Sequence, residues 1–293
     1  MNRVSFYLPR LGLSALILCI GSGVILAFYY RPTGNVFRTV EEITTLVPYG
    51  WFFRQLHYGT GQAFVILMFL HTMDHLVRRR YRIYPFREWV TLVLSLALCF
   101  HTLFTGFILK GDQEGIFAGR IFLNIIETLP VAGRAIGRLF IAPGEGFFFL
   151  PYLYHCLFLP ILIIYLMRGH IREWLPDPKF ILSAGIGLSL YALFVKPGLD
   201  IPPEASVPSV SGPWFFQAIQ TLLKALPPLL AGLIIPGLFL ACLLLLPLGN
   251  TGSRALPSKK GIIRTAETAL YGLLIIALGA YGLLTLRALI WGP

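Results

Sequence analysis

Charged residues are scarce in this chain. Only 13% of its 293 residues are charged, whereas a soluble domain carries about 25%. Because 56% of the residues are hydrophobic, too little polar surface remains to cover a water-soluble globule. This composition excludes a soluble enzyme, a nucleic-acid-binding domain and a disordered chain. The net charge of +11 therefore indicates loops that differ in charge across a membrane, not a phosphate-binding face.

Paired cysteines are also lacking. The chain has four Cys, none in a CxxC pair and each within an apolar run, which argues against disulfides, iron–sulfur clusters and zinc. No CxxCH occurs, so covalently attached c-type haem is not expected. No small-residue cleavage site follows the first apolar stretch, so we expect that stretch to be retained as a membrane helix.

Seven stretches without charge predict seven transmembrane helices, A to G, because about 20 apolar residues cross the hydrocarbon core. They lie between Arg10 and Arg31 and at Gln55–Met73, Trp89–Leu109, Gly146–Met167, Phe180–Val195, Ala225–Ser253 and Thr268–Leu286. The expected fold is an all-α integral membrane protein with a four-helix bundle (A–D) and about three further spans. We expect a bundle domain at 1–175 and a C-terminal transmembrane part at 176–293.

The distribution of basic residues predicts the orientation. More than half of the 24 Lys and Arg fall on the side of the N-terminus, which favours a cytoplasmic N-terminus, most simply in a prokaryotic inner membrane. The long C–D connection contains Ile116–Ile126 and Ala132–Ile141, whose patterns predict short amphipathic helices on the outer surface. Five prolines in Pro197–Pro213 predict an extended E–F connection.

Histidines form a pattern on helices B and D. His57 and His71 are 14 residues apart on B, and His155 and His170 are 15 apart on D, which is about 21 Å along a helix. B and D run in the same direction, so each level contains one histidine from each helix. This arrangement predicts two bis-histidine haems stacked across the bilayer in a four-helix haem-binding bundle.

The alternative is that these histidines form interhelical hydrogen bonds or a proton relay in a haem-free transporter. A lone intramembrane histidine favours that interpretation, but two matched spacings favour haem. His101 has no partner at its level and is expected to be a polar core residue. His75, one turn from His71, is either a quinone or propionate contact or an interfacial histidine.

Several motifs resemble the cytochrome b of bc and bf complexes, especially the chloroplast and bacterial type with 15 residues between the helix D histidines. The matching stretches are Phe28–Thr33 (FYYRPT), Gly50–His57 (GWLIRxxH), Leu70-His71, Pro85–Glu88 (PRE-like), Phe104–Phe107 (FTGY), Asp112-Gln113 (end of PWDQ), Glu127–Gly133, His155 with Pro160, and Trp214–Gln220. The resemblance is specific over the first 175 residues. It implies two non-covalent b-type haems, a quinone or quinol substrate and a place in a respiratory electron-transfer complex.

The resemblance implies that Arg54 pairs with a haem propionate, but other positions depart from the family. Pro213 stands where the PEWY motif has a Glu that accepts a proton, and proline cannot accept one. Lys110-Gly111 stands where the family has Pro-Trp. Leu150 stands where the family has an Arg at the outer haem, and Asp74 where it has an Arg near the inner haem. Tyr7 aligns near the Cys that attaches an extra haem in bf complexes. No covalent third haem is therefore expected, and the outer quinol-oxidation site is in doubt.

The preferred interpretation is a dihaem subunit that carries electrons across the bilayer between a quinone pool and a partner. The partner would be a hydrogenase, a molybdenum enzyme or a cytochrome c. The alternative is a quinol-oxidising b subunit beside a Rieske protein, with Glu114, Glu127 or Glu145 as the substitute proton acceptor.

Near the inner haem, the quinone candidates are Asp74, His75, Asp177 and Lys179, for which a solvated interfacial cluster is the simpler explanation. Lipid is an expected partner, and nucleic acid is not.

Overall fold

A computed structural model describes residues 3–194, 200–205, 212–248 and 257–291. Every regular element in these ranges is helical, which confirms the all-α membrane fold. The helices are α1 (Arg3–Ala27), α2 (Val36–Thr45), α3 (Gly50–Val77), α4 (Phe86–Ile108), α5 (Gln113–Glu127), α6 (Gly133–Phe140), α7 (Phe149–Leu153), α8 (Leu159–Trp174), α9 (Pro178–Phe194), α10 (Gln217–Leu223), α11 (Ile235–Leu245) and α12 (Pro257–Trp291).

Five helical segments are long and apolar enough to cross a membrane: Ser5–Ala27, Phe86–Ile108, Gly144–Trp174, Leu230–Leu248 and Thr265–Trp291. They correspond to predicted helices A, C, D, F and G. Predicted helix B is the 28-residue α3, which is long enough but carries more polar residues. Predicted helix E is the 17-residue α9, an apolar helix that is shorter than the other spans.

The helix α2 is missing from the sequence-based prediction. Asn35 begins it, since its side-chain oxygen accepts a hydrogen bond from the Arg38 N–H at 3.0 Å. Val36, Val40 and Ile43 recur at helical spacing and are buried. The two helices predicted in the C–D connection are present as α5 and α6. Most of the E–F connection lies outside the described residues, and 200–205 forms no helix.

The helix that corresponds to predicted helix D contains a π turn. Between α7 and α8, residues Tyr154–Phe158 form a π-helical turn in which the Leu159 N–H donates to the Tyr154 carbonyl. A π turn closes its hydrogen bond over one residue more than an α turn. It therefore takes up the extra residue that makes the His155–His170 interval 15 instead of 14.

The described part of the chain divides into two compact units. The first comprises Met1–Arg78, Leu94–Ile116 and Phe140–Ala205. Within it, α1 packs along α3, and α9 packs against both. The predicted division at residue 175 stays a prediction.

The second unit comprises Arg79–Val93, Phe117–Leu139 and Ser206–Pro293. Its buried Trp89 donates from Nε1 to the Leu243 carbonyl at 2.8 Å. Its one buried carboxylate among the described residues, Glu267 in α12, accepts hydrogen bonds at 2.8 Å from both the Tyr81 hydroxyl and Arg82 Nε. Burial and the hydrogen bond to Glu267 raise the pKa of Tyr81 to about 12. These contacts connect the short turn at Arg80–Arg82 to α12.

We predict that Glu267→Gln destabilises the protein by about 2 kcal/mol, because the change removes a charge-assisted hydrogen bond to Arg82 inside a buried contact. Thermal denaturation in detergent measures this effect. Glu88→Gln is the control, since Glu88 is an exposed acid of the same unit and should change stability little. Equal stability of the two variants would contradict a stabilising role for Glu267.

Candidate functional site

The structure brings His57 and His155 together. His57 lies on α3 and His155 lies in the π turn, and their ring centroids are 5.8 Å apart. A metal–imidazole bond is about 2 Å long and the ring centre lies about 1 Å beyond its nitrogen, so two imidazoles on opposite sides of one metal ion have centroids roughly 6 Å apart. The observed separation matches this requirement.

Main-chain carbonyls orient both rings. His57 Nδ1 lies 2.9 Å from the Cys19 carbonyl on α1, and His155 Nδ1 lies 2.9 Å from the Thr102 carbonyl on α4. Because a carbonyl only accepts, Nδ1 must donate in each case, and Nε2 is left as the nitrogen able to bind a metal ion. Four helical segments thus contribute to this pair: two carry the imidazoles and two orient them.

Glycines make room beside both rings. A Cβ atom on Gly23 would lie 2.7 Å from His57 Cε1, and one on Gly106 would lie 2.5 Å from His155 Cε1. Either distance is too short for non-bonded atoms, so these positions accept only glycine while the rings stay in place. Gly21 differs, because a Cβ there would meet nothing within 4 Å.

A second pair lies toward the other end of α3 and α8. The ring centroids of His71 and His170 are 6.0 Å apart. Trp174 lies beside both rings, with centroid separations of 6.2 Å from His71 and 6.3 Å from His170. The ring centroid of His75 lies 4.4 Å from that of His71, and His75 Nδ1 donates to the His71 carbonyl at 3.1 Å. This pair is therefore bordered by aromatic rings, whereas the first is bordered by glycines.

The chemistry of both pairs fits haem better than a bare metal ion. Within the residues that the structure describes, no group of three or more His, Cys, Asp or Glu could hold a metal ion. A haem iron would need only two ligands from the protein, and each pair supplies two imidazoles. His101 lies instead beside Phe104 and Phe140.

Arg54, expected at a propionate, lies in a polar cluster at the His57 end of the bundle. It forms an ion pair with Asp200 and donates to Thr44 Oγ1 at 3.2 Å. The Nζ atom of Lys110 lies 2.6 Å from Asp112 Oδ2, 3.1 Å from Glu114 Oε2 and 3.4 Å from Asp200 Oδ1. Burial alone would lower the pKa of Lys110, but these three carboxylates raise it above its usual value.

Asp200 was absent from the sequence-based candidates. Its segment is fixed because the Gln113 N–H donates to the Ile201 carbonyl at 2.9 Å and Gln113 Nε2 donates to the Ala205 carbonyl at 2.6 Å. An isolated Asp in a proline-rich connection gives no sign of such distant partners. The only available signal was its place between prolines in the connection predicted to be extended.

The quinone candidates have different hydrogen-bond partners. Asp74 accepts hydrogen bonds from Ser5 Oγ at 2.7 Å and from Arg78 Nε at 2.6 Å, and His75 is buried beside His71. Asp177 accepts from the Phe180 N–H at 3.0 Å, which makes it a cap of α9. Lys179 is exposed near the same helix start.

The three candidate proton acceptors also differ in environment. Glu114 belongs to the polar cluster, whereas Glu127 and Glu145 are exposed. Pro213 precedes the short helical turn Trp214–Phe216.

Comparisons with known proteins now give the family. The cytochrome b/b6/petB family matches residues 3–173. The cytochrome b6 of Porphyra purpurea is 30% identical over 158 residues, which cover 53% of this chain and 74% of the relative. The cytochrome b of Rickettsia typhi is 23% identical over 290 residues, which cover 86% of this chain and 73% of the relative.

A solved structure shares the fold. A chain of a hyperthermophilic respiratory Complex III superposes with a TM-score of 0.64 at 16% identity, covering 98% of this chain and 92% of that one. The fold is that of a helical membrane bundle. The chain belongs to the cytochrome b family. Membership implies that it binds b-type haem and works in membrane electron transport.

We predict that Gly23→Ala lowers the haem content of the purified protein, because the new methyl group would occupy the space of the His57 ring. Gly21→Ala is the matched control on the same helix and should keep the wild-type content, since its methyl group meets open space. Haem per protein and the reduced-minus-oxidised spectrum measure both. Equal losses in the two variants would show that crowding at His57 is not the cause.

Proposed function

We propose that this chain is a dihaem b-type subunit that carries electrons across the bilayer between a quinone or quinol pool and a partner redox protein. One haem would be held by His57 and His155 and the other by His71 and His170. The observation that carries the proposal is the presence of two facing imidazole pairs, with centroid separations of 5.8 and 6.0 Å. When bound, each haem supplies a one-electron carrier.

The protein's own part is to fix positions and charges. Cys19 and Thr102 hold two ligands in the tautomer that presents Nε2. The 14-residue interval on α3 separates the two levels by about 21 Å along the helix, which suits transfer across the hydrocarbon core. Arg54 lies at the His57 end, where it now pairs with Asp200. With haem bound, its guanidinium would pair with a propionate instead.

We further propose a prokaryotic inner membrane and a cytoplasmic N-terminus, on the distribution of Lys and Arg. The His57–His155 pair would then lie on the outer side and the His71–His170 pair on the inner side. Asp74 and His75 are the residues best placed for an inner quinone, since both lie within one turn of His71. The partner would be a Rieske protein, a cytochrome c, a hydrogenase or a molybdenum enzyme.

A second candidate is a quinol-oxidising b subunit of a Rieske/cytochrome bc-like complex with bifurcated electron flow. It is favoured by the similarity to a Complex III chain over 98% of this chain and to a cytochrome b relative over 86% of this chain. Pro213 stands against it, because the proline cannot accept the proton of a quinol.

We predict that His57→Ala and His155→Ala remove the same spectral component, and that His71→Ala and His170→Ala remove the other. The reason is that each variant would remove one of the two imidazoles proposed to hold that haem. Optical redox titration of isolated membranes resolves the components, and His101→Ala is the control that should keep both. Loss of the same component in His57→Ala and His170→Ala would overturn the pairing.

The two candidate functions predict different copurifying subunits. Purification under mild detergent, followed by identification of bound chains and a quinol–cytochrome c reductase assay, separates them. A Rieske protein with activity blocked by an outer-site inhibitor supports the bifurcating subunit. A hydrogenase or molybdenum enzyme, without such activity, supports the dihaem carrier.

A further inference from the structure

The turn between α3 and α4, residues 79–82, concentrates positive charge at one place. Its sequence is Arg-Arg-Tyr-Arg, and all of it belongs to the second compact unit. The turn ends shortly before Phe86, where α4 begins, and it contacts Glu267 near the start of the span Thr265–Trp291. Because two membrane spans begin beside it, this basic turn lies at the level of the membrane surface.

Contacts with α12 and α4 fix the basic turn. The Tyr81 hydroxyl and Arg82 Nε both donate to Glu267 at 2.8 Å. The Tyr81 ring is buried, and its centroid lies 5.8 Å from that of Trp89. Arg79 has a left-handed backbone with a φ of 53°, which a residue with a side chain keeps only where its surroundings hold it. The basic turn is therefore held in one conformation.

The three arginines of the basic turn differ in their partners. Arg82 is neutralised by Glu267, whose side chain is only 6% exposed. The guanidinium carbon of Arg79 lies 4.4 Å from the centroid of the Tyr271 ring, so this cation is held over an aromatic face. All 13 Asp and Glu of the chain lie among the described residues, and none of them forms an ion pair with Arg79 or Arg80. Two neighbouring arginines therefore have no carboxylate to balance their charge.

The surroundings of these two arginines favour a lipid phosphate as the anion. A guanidinium group binds two phosphate oxygens at once through parallel N–H donors. Ile83 and Phe86, which follow the basic turn, are 78% and 40% exposed. Apolar side chains at the membrane surface are buried among the acyl chains of lipids. A phospholipid supplies both a phosphate for the arginines and hydrocarbon for the apolar residues, and a headgroup with net negative charge matches the unbalanced arginines best.

We propose that Arg79 and Arg80 bind the phosphate group of an anionic phospholipid in the leaflet at the level of the α3–α4 turn. The Arg79 guanidinium stays over the Tyr271 ring and donates N–H groups to the phosphate oxygens, while Ile83 contacts the acyl chains. No covalent bond changes. The site contains none of the proposed haem ligands, so it exists whether or not the haem assignment is correct.

The test is lipid binding to the whole purified chain. The protein is delipidated in a neutral detergent and titrated with phosphatidylglycerol or with phosphatidylcholine, and native mass spectrometry counts the bound lipids. We expect a saturable site for phosphatidylglycerol but not for phosphatidylcholine. Arg79→Gln and Arg80→Gln should each weaken this binding about fivefold, and the double variant about 25-fold, which is the attraction expected for one and for two basic residues near an anionic lipid.

Two further variants locate the site. Tyr271→Leu should weaken phosphatidylglycerol binding, because it removes the ring that holds Arg79 in place, and unchanged binding would contradict that role. Arg38→Gln is the matched control, since Arg38 is an exposed arginine on α2 that already pairs with Glu42, and it should keep the wild-type affinity. Thermal denaturation without lipid checks each fold. Should Arg79→Gln unfold, Arg80→Gln decides, because its arginine makes no ion pair among the described residues.

The outcomes separate this site from its alternatives. Unchanged phosphatidylglycerol affinity in the double variant, equal affinity for phosphatidylcholine, or an equal loss in Arg38→Gln would overturn the proposal. Competition with inorganic phosphate identifies the source of the anion. Displacement of the lipid by an equal concentration of phosphate would show a site for the free ion instead, whereas retention of the lipid supports a site for the phospholipid.

Discussion

The fixed distance between two imidazoles on different helices is the constraint on which the rest of the structure depends. The ring centroids of His57 and His155 are held 5.8 Å apart because backbone carbonyls on α1 and α4 fix the rotation of each ring. A hydrogen bond to the main chain cannot be moved without moving a helix. The four helical segments therefore act as one frame, and the proposed cofactor completes a geometry that the polypeptide already has.

The two ends of this frame are built differently. At the His57 end, glycines border the rings, and the same end carries a largely half-buried polar cluster that includes Arg54, Lys110 and Asp200. At the other end, the His71 ring lies beside those of His75 and Trp174, and Asp74, three residues after His71, accepts hydrogen bonds from Ser5 and Arg78. Charge near an iron changes the energy of its reduced state more than aromatic contact does. The two proposed haem positions therefore have different electrostatic surroundings.

The helices and the histidine pairs could be predicted because both depend on short-range periodicity. Apolar runs located five spans, and intervals of 14 and 15 residues located four imidazoles on two levels. The π turn at Tyr154–Phe158 could not be predicted, since it depends on packing and not on propensity. Asp200 was missed for a related reason: its partners Arg54 and Lys110 are 146 and 90 residues away in the chain. The helix α2 did carry a readable signal in Asn35 and its apolar repeat.

Carrying an electron and accepting a proton place different demands on a sequence. The first needs rigid imidazoles and close-packed glycines, and these lie within residues 3–173, where the family match is found. The second needs a carboxylate whose charge is incompletely balanced, and any acid in the right surroundings satisfies that need. A proton acceptor is therefore not tied to the position that Pro213 occupies. Lys110 and Gly111, which stand where the family has Pro-Trp, belong to the segment that supplies Lys110, Asp112 and Glu114 to the polar cluster.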